Sequence, residues 1–168
     1  MELWDLYNKN REKTGEVAKR GSNLPKGRYH LVVHICIINS NGEMLIQKRQ
    51  ADRKNWPNKW DLTVGGSVVA GETSTSGAKR ELMEEIGYIA SLEDVRPFFT
   101  MNFERGFDDY YIIKDNDVDI SKLKLQVEEV QCVKWATKDE ILEMIKNESF
   151  VRYENGLIDM IFSIAYKL

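Results

Sequence analysis

The stretch that decides the fold runs from Gly66 to Gly87 and reads Gly-Ser-Val-Val-Ala-Gly-Glu-Thr-Ser-Thr-Ser-Gly-Ala-Lys-Arg-Glu-Leu-Met-Glu-Glu-Ile-Gly. It fits the pattern G-x5-E-x7-R-E-U-x-E-E-x-G at all eight fixed positions, where U is a bulky aliphatic residue. At average residue frequencies such a match arises by chance about 10⁻⁹ times per starting position. The pattern is therefore a specific signal.

The second half of this stretch predicts a helix from about Ser74 to Ile86. Within it Ala78, Leu82 and Ile86 recur at every fourth residue, which gives an apolar stripe one helix face wide. Gly87 follows directly and is suited to end the helix in a left-handed conformation. The first half, which follows a strand-like segment, is predicted to be a loop.

Three glutamates share another face of this predicted helix. Glu81, Glu84 and Glu85 lie at i, i+3 and i+4, so their side chains project from the same side. Like charges at this range repel one another, and a bound divalent cation removes that cost. Hard oxygen ligands suit Mg²⁺, with Mn²⁺ as a substitute. A solvated glutamate-rich face is the alternative, but the complete strand-loop-helix pattern favours a metal site.

The same stretch resembles the Nudix box, and the chain looks like a Nudix hydrolase. This resemblance implies the Nudix fold, an α/β/α sandwich around a mixed β-sheet. It also implies that divalent cations are held against a diphosphate while water attacks one phosphorus. The expected substrate is a nucleoside diphosphate linked to another moiety, or a related organic diphosphate.

The resemblance also assigns roles to individual residues. The expected metal ligands are Glu81, Glu84, Glu85 and the main-chain oxygen of Gly65. The expected structural support of the site comes from Gly66, Glu72, Arg80 and Gly87, with Glu72 and Arg80 joined in an ion pair.

One carboxylate must accept a proton from the attacking water. The candidates for catalysis are Glu84, Glu81 and, outside the box, Glu129, for which an exposed position at a strand edge is an equal alternative. Residues that bind the rest of the substrate are unknown at this point.

Two rival functions follow from other residues. The segment Trp56–Asp61 and the pair His30 and His34 resemble the Nudix subgroup related to isopentenyl-diphosphate isomerase, so isomerisation is the main alternative. That family uses a cysteine on the strand before the box and histidine metal ligands, but residues 62–67 contain neither, which favours hydrolysis. For His30 and His34, ordinary sheet positions are favoured over metal ligation. A non-catalytic ligand-sensing module is the second alternative, which the complete glutamate set disfavours.

Strands and helices interleave along the rest of the chain. Strands are predicted at 30–38, 44–47, 60–64, 98–103, 110–114 and 129–135, and helices at 138–146 and about 154–165. This interleaving favours an α/β/α layered domain around a mixed sheet. The 168 residues predict a single domain, 1–168, with residues 1–27 as an N-terminal extension packing on it.

Composition restricts the partners. The net charge of −3 is small and the basic residues are dispersed, so a small-molecule diphosphate is expected as substrate and a nucleic-acid polymer is not. No segment is apolar enough for a membrane span, and the N-terminus does not resemble a secretory signal. Cys36 and Cys132, expected as buried thiols, indicate a cytoplasmic protein. The oligomeric state stays open, with a homodimer as one alternative.

Overall fold

A computed structural model of the protein describes residues 2–93 and 95–168, and the chain divides into two compact units. The first unit comprises Met1–His34, Gly65–Glu81 and Ala90–Tyr111. The second comprises Ile35–Val64, Leu82–Ile89 and Ile112–Leu168. The single domain over 1–168 stays a prediction.

Within the described residues the chain forms nine strands, three α-helices and a short 3₁₀ turn at Ile120–Lys122. The strands are β1 Leu3–Tyr7, β2 Lys13–Lys19, β3 His30–Ile38, β4 Glu43–Arg49, β5 Trp60–Asp61, β6 Val64–Ser67, β7 Phe99–Phe103, β8 Gly106–Lys114 and β9 Val130–Thr137. The helices are α1 Ser74–Ile86, α2 Lys138–Lys146 and α3 Asn155–Tyr166. No helix of residues 2–93 and 95–168 is long and apolar enough to cross a membrane.

The strands form two sheets. Strands β1 and β2 pair as an antiparallel hairpin, and the other seven follow the order β5-β4-β3-β8-β7, with β6 paired to β3 and β9 to β4. Strands β3 and β8 run in the same direction, because His30 N–H donates to Arg105 O at their starts and Asp115 N–H donates to Ile38 O at their ends. Strand β9 pairs antiparallel with β4. The sheet is therefore mixed, and the predicted α/β class is confirmed.

The helix of the decisive stretch has the predicted bounds and the predicted buried face. Ala78, Leu82 and Ile86 are each 0% exposed. Burial of such side chains stabilises the folded state by about 25 cal/mol per Å² of apolar area removed from water. Gly87 has a φ of 66°, and its N–H donates to Met83 O at 3.1 Å, so the left-handed end of α1 is confirmed.

The predicted strand over residues 60–64 was wrong in its extent. The chain forms β5, breaks, and resumes as β6, which includes Gly65 and Gly66. At the break Thr63 is fully buried, and its hydroxyl accepts from Ile37 N–H at 2.9 Å and donates to Leu45 O. This side chain occupies backbone groups of two other strands, so the ladder of the segment is interrupted.

Only one of the two predicted buried thiols is buried. Burial raises the pKa of the Cys36 thiol, so it stays protonated. Cys132 is exposed, which corrects the prediction. Cys132 lies beside a bulge in β9, where Val130 and Cys132 pair with the consecutive residues Arg49 and Lys48.

His30 is buried and stacks on Trp4, with ring centroids 3.9 Å apart. Within the described part of the chain its Nδ1 has no hydrogen-bond partner. Burial, assisted by the positive charge of Arg105, lowers the pKa of His30 from 6.5 to about 4. The neutral imidazole is therefore a structural residue of the first unit, as the sequence favoured.

The pH dependence of stability should reveal this buried histidine. Between about pH 6.5 and 4 the unfolded chain binds a proton at His30 that the folded chain does not, so the free energy of unfolding decreases as the pH falls. Over the two pH units between 6.5 and 4.5, this difference in proton binding corresponds to a decrease of roughly 3 kcal/mol in the free energy of unfolding. Urea unfolding at pH 7 and pH 4.5 should show a smaller decrease for His30→Phe, which keeps the ring stack, than for the unsubstituted protein. Equal decreases in the two proteins would contradict this assignment.

Candidate functional site

An ion pair in the first unit closes the loop of the box onto α1. Arg80 Nε lies 2.8 Å from Glu72 Oε1, and Arg80 Nη2 donates to the Ser67 main-chain oxygen at 3.0 Å. Glu72 also accepts from the Val69 N–H at 3.0 Å. The predicted pairing of Glu72 with Arg80 is therefore present, and it ties both ends of the loop to one guanidinium.

Gly66 and Glu81 fit closely against each other in the same unit. A Cβ at Gly66 would overlap the Glu81 carboxylate, so a larger residue there would require this side chain or the backbone to move. Glu81 is 7% exposed, and Arg80 Nη1 lies 3.0 Å from Glu81 Oε1. Arg80 therefore contacts two carboxylates of the box, those of Glu72 and Glu81.

Glu85 belongs to the second unit and is also buried, at 3% exposure. Its Oε2 accepts from Gln47 Nε2 at 2.8 Å, and its main-chain oxygen accepts from Gln126 N–H at 2.9 Å. Gln47 is 2% exposed, and the sequence analysis did not identify it. An amide in the apolar run of β4 was the available signal, because a buried amide requires a polar partner.

Glu84 differs from the other two glutamates because it is exposed. The sequence places the three carboxylates on one helix face, but their surroundings differ: Glu81 contacts a guanidinium, Glu85 contacts an amide, and Glu84 reaches solvent. The repulsion expected among three like charges is thus reduced at Glu81 by Arg80. The three side chains therefore differ in exposure and in their polar contacts.

Glu129 lies directly before β9 in the second unit. Its Oε1 is 2.8 Å from Arg53 Nη1, and its main-chain oxygen accepts from Gln50 N–H at 2.9 Å. The Glu129 side chain is half-buried, at 26% exposure. Its catalytic role stays a prediction.

His34 lies near Gly65, whereas His30 has other neighbours. A Cβ at Gly65 would be 3.0 Å from His34 Nδ1. His34 Nε2 is 3.4 Å from Asp108 Oδ1, and the ring stacks on Tyr110 at 4.8 Å. The two histidines at i, i+4 therefore stack on different rings, His30 on Trp4 and His34 on Tyr110.

The donor chemistry of the box suits a hard cation. Among residues 2–93 and 95–168 no three or more His, Cys, Asp and Glu side chains form a ready group for one metal ion. Mg²⁺ does not require such a group, because it keeps several waters and binds through one or two carboxylates plus substrate phosphate. Glu81, which lies against Gly66 and pairs with Arg80, is one such carboxylate. These residues fit Mg²⁺ or Mn²⁺.

Comparison with known proteins gives the family. Residues 28–154 match the NUDIX domain model. An uncharacterised Nudix hydrolase of Listeria monocytogenes is 48% identical over 153 residues, covering 91% of this chain and 90% of the relative. An isopentenyl-diphosphate Δ-isomerase of Halorhodospira halophila is 30% identical over 87 residues, covering 52% and 50% of the two chains. A crystal structure of a protein from Deinococcus radiodurans has a TM-score of 0.76 at 23% identity, covering 95% and 99%, and supports the fold. The chain therefore belongs to the Nudix family of hydrolases.

Proposed function

We propose that the protein is a divalent-metal-dependent hydrolase that cleaves the diphosphate bond of a nucleoside diphosphate linked to another moiety, or of a related organic diphosphate, by attack of water at phosphorus. The observation that carries this proposal is the close fit of the Glu81 carboxylate on Gly66, with Arg80 joining Glu81 to Glu72. A buried carboxylate held this firmly has a cost in folding that a ligand role explains.

The proposed ligands of Mg²⁺, or of Mn²⁺ as its substitute, are Glu81, Glu84, Glu85 and the main-chain oxygen of Gly65. When bound, the cation would polarise phosphoryl oxygens and neutralise charge on the leaving group. The protein itself orients the ligands: Arg80 holds Glu81, and Gln47 holds Glu85. Such supporting contacts fix side-chain direction and are typically worth 10- to 100-fold in metal affinity or activity.

The attacking water must also lose a proton to a carboxylate. Glu84 is favoured because it is exposed on α1 and can contact water, whereas Glu81 and Glu85 are buried. Glu81 is the second candidate within the box. Glu129, paired with Arg53, is the candidate outside it.

The proposal extends to partners and location. A small-molecule diphosphate is the expected substrate, because the basic residues of the chain are dispersed and a bound cation supplies the positive charge that phosphates need. We propose a cytoplasmic location and no nucleic-acid polymer or membrane as partner. A homodimer remains one alternative for the oligomeric state.

A substrate screen tests the proposed function. Phosphate-containing products should appear only with Mg²⁺ or Mn²⁺ when the protein is incubated with nucleoside triphosphates, dinucleoside polyphosphates, nucleotide sugars, dinucleotides and prenyl diphosphates. Glu84→Gln is the matched negative variant. Interconversion of isopentenyl and dimethylallyl diphosphate without hydrolysis would support the isomerase alternative. Tight binding of one of these compounds without turnover would support the ligand-sensing module.

A further inference from the structure

The β1–β2 hairpin contacts the loop of the box, although it lies before residue 28, where the match to the family begins. The Ala70 N–H donates to the Leu3 main-chain oxygen at 2.7 Å. The Gly71 N–H donates to the Asp5 carboxylate at 2.9 Å. The hairpin therefore supplies acceptors to two consecutive amides of the loop, which would otherwise need solvent.

Lys13 adds a third contact to the next loop residue. Its ammonium donates to the Glu72 main-chain oxygen at 3.0 Å and to the Asp5 carboxylate at 2.6 Å. Burial raises the pKa of Asp5, but the hydrogen bonds from Lys13 and Gly71 outweigh it and keep that pKa below its ordinary value. Asp5 is therefore charged at neutral pH. Charge-assisted hydrogen bonds of this kind are stronger than neutral ones.

The turn of the same hairpin reaches the start of α1. Arg11, held at a φ of 63°, forms an ion pair with Asp109, whose side chain is fully buried. The Asp109 carboxylate also accepts from Thr100 Oγ1 at 2.6 Å and from Ser74 Oγ at 2.5 Å. Ser74 is the first residue of α1. Arg11 supplies the cation for a buried carboxylate that is bonded to the helix start, and loss of that cation would leave a buried charge without its partner.

We propose that the N-terminal hairpin positions the box: Asp5 and Lys13 hold its loop, and Arg11 acts through Asp109 on the start of the helix that carries the glutamates. This inference rests on the proposed function. The three hairpin residues are positioning residues, because they act on the site through main-chain atoms and through Asp109. The hairpin then helps to position the active site although it lies before residue 28, where the family match begins.

The experiment compares Asp5→Ala and Arg11→Ala with a matched hairpin variant, Glu16→Gln. Glu16 forms an ion pair with Arg28 at 2.7 Å, so this control removes a hairpin ion pair that is separate from the box contacts above. Hydrogen exchange of residues 68–80 is measured on the substrate-free protein, and Mg²⁺ affinity by calorimetry. Asp5→Ala and Arg11→Ala should exchange faster there and bind Mg²⁺ about 10-fold more weakly, the usual effect of losing a supporting contact. Glu16→Gln should match the unsubstituted protein.

Further measurements separate positioning from general loss of folding. Arg11→Lys, which retains the charge, should recover most of the Mg²⁺ affinity lost in Arg11→Ala, and near-ultraviolet circular dichroism should show that the compared variants are folded. Unchanged Mg²⁺ affinity in both alanine variants would overturn the inference, whether or not exchange increases, because the hairpin would then not set the site. Absence of Mg²⁺ binding and of hydrolysis in the unsubstituted protein would contradict the proposed function instead.

Discussion

Glu84→Gln should lower kcat for diphosphate hydrolysis by about 10²- to 10⁴-fold, the range for loss of general acid–base catalysis. Glutamine keeps the size of the side chain but has no negative charge, so it neither accepts the water proton nor serves as an anionic ligand. Because Glu84 is exposed, the free energy of unfolding should change by less than about 0.5 kcal/mol. Steady-state kinetics and urea unfolding of the same preparations measure both quantities.

A matched control for this variant lies on α2. Glu143 is exposed and forms a 3.6 Å ion pair with Lys146 on the surface, so Glu143→Gln makes the same chemical change outside the box. Exposed pairs of this type contribute little to stability. Its kcat should equal that of the unsubstituted protein. If kcat were equal in Glu84→Gln as well, Glu84 would have no role in the reaction.

Gly66→Ala should affect both stability and activity. The added Cβ would overlap the Glu81 carboxylate, so either this side chain or the β6 backbone must move. Overpacking of this kind typically costs about 1 to 3 kcal/mol. Displacement of a ligand by about 1 Å can lower the rate by about 10²-fold. Thermal unfolding and kcat, measured at saturating Mg²⁺, should both decrease.

Gly156→Ala is the control for Gly66→Ala. Gly156 lies in α3 and a Cβ there meets nothing within 4 Å. Alanine in place of glycine in a helix should stabilise the protein by about 0.5 to 1 kcal/mol without altering kcat. If Gly66→Ala were as active and as stable as Gly156→Ala, the close fit between Gly66 and Glu81 would have no functional meaning.

The sequence predicted the parts of the fold that depend on local spacing. Helix α1 was predicted with the bounds Ser74–Ile86 because its apolar stripe and its terminal glycine both lie within one segment. The break at Thr63 could not be predicted, since the partners of its hydroxyl, Ile37 and Leu45, belong to other strands. Similarly, the bulge beside Cys132 depends on the register between β9 and β4. Both features depend on pairing between distant strands, which a local sequence pattern does not specify.

The sequence did not predict the two strands of the N-terminal hairpin. Strand β2 is mostly exposed and lacks the alternation of apolar and polar residues that marks a half-buried strand. Strand β2 pairs with β1. The hairpin residues Asp5 and Arg11 contact Gly71 and Asp109, which are distant in sequence. Charged side chains in an N-terminal segment normally indicate a solvated surface, so these contacts had no local signal.

The candidate site was predictable in composition but not in environment. The order of glutamates along one helix places Glu81, Glu84 and Glu85 on one face whatever surrounds them. Which of them is buried depends on Arg80 and on Gln47, whose side-chain contacts the sequence pattern does not specify. The division into two buried carboxylates and one exposed carboxylate therefore required the structure.

We propose above all that this glutamate face holds the cation used in hydrolysis. Binding of Mn²⁺ to the substrate-free protein, measured by electron paramagnetic resonance, tests it most directly. We expect saturable binding that is weakened at least about 10-fold by Glu81→Gln and by Glu84→Gln, and unchanged by Glu143→Gln. Equal Mn²⁺ affinity in the unsubstituted protein and in both box variants would contradict it.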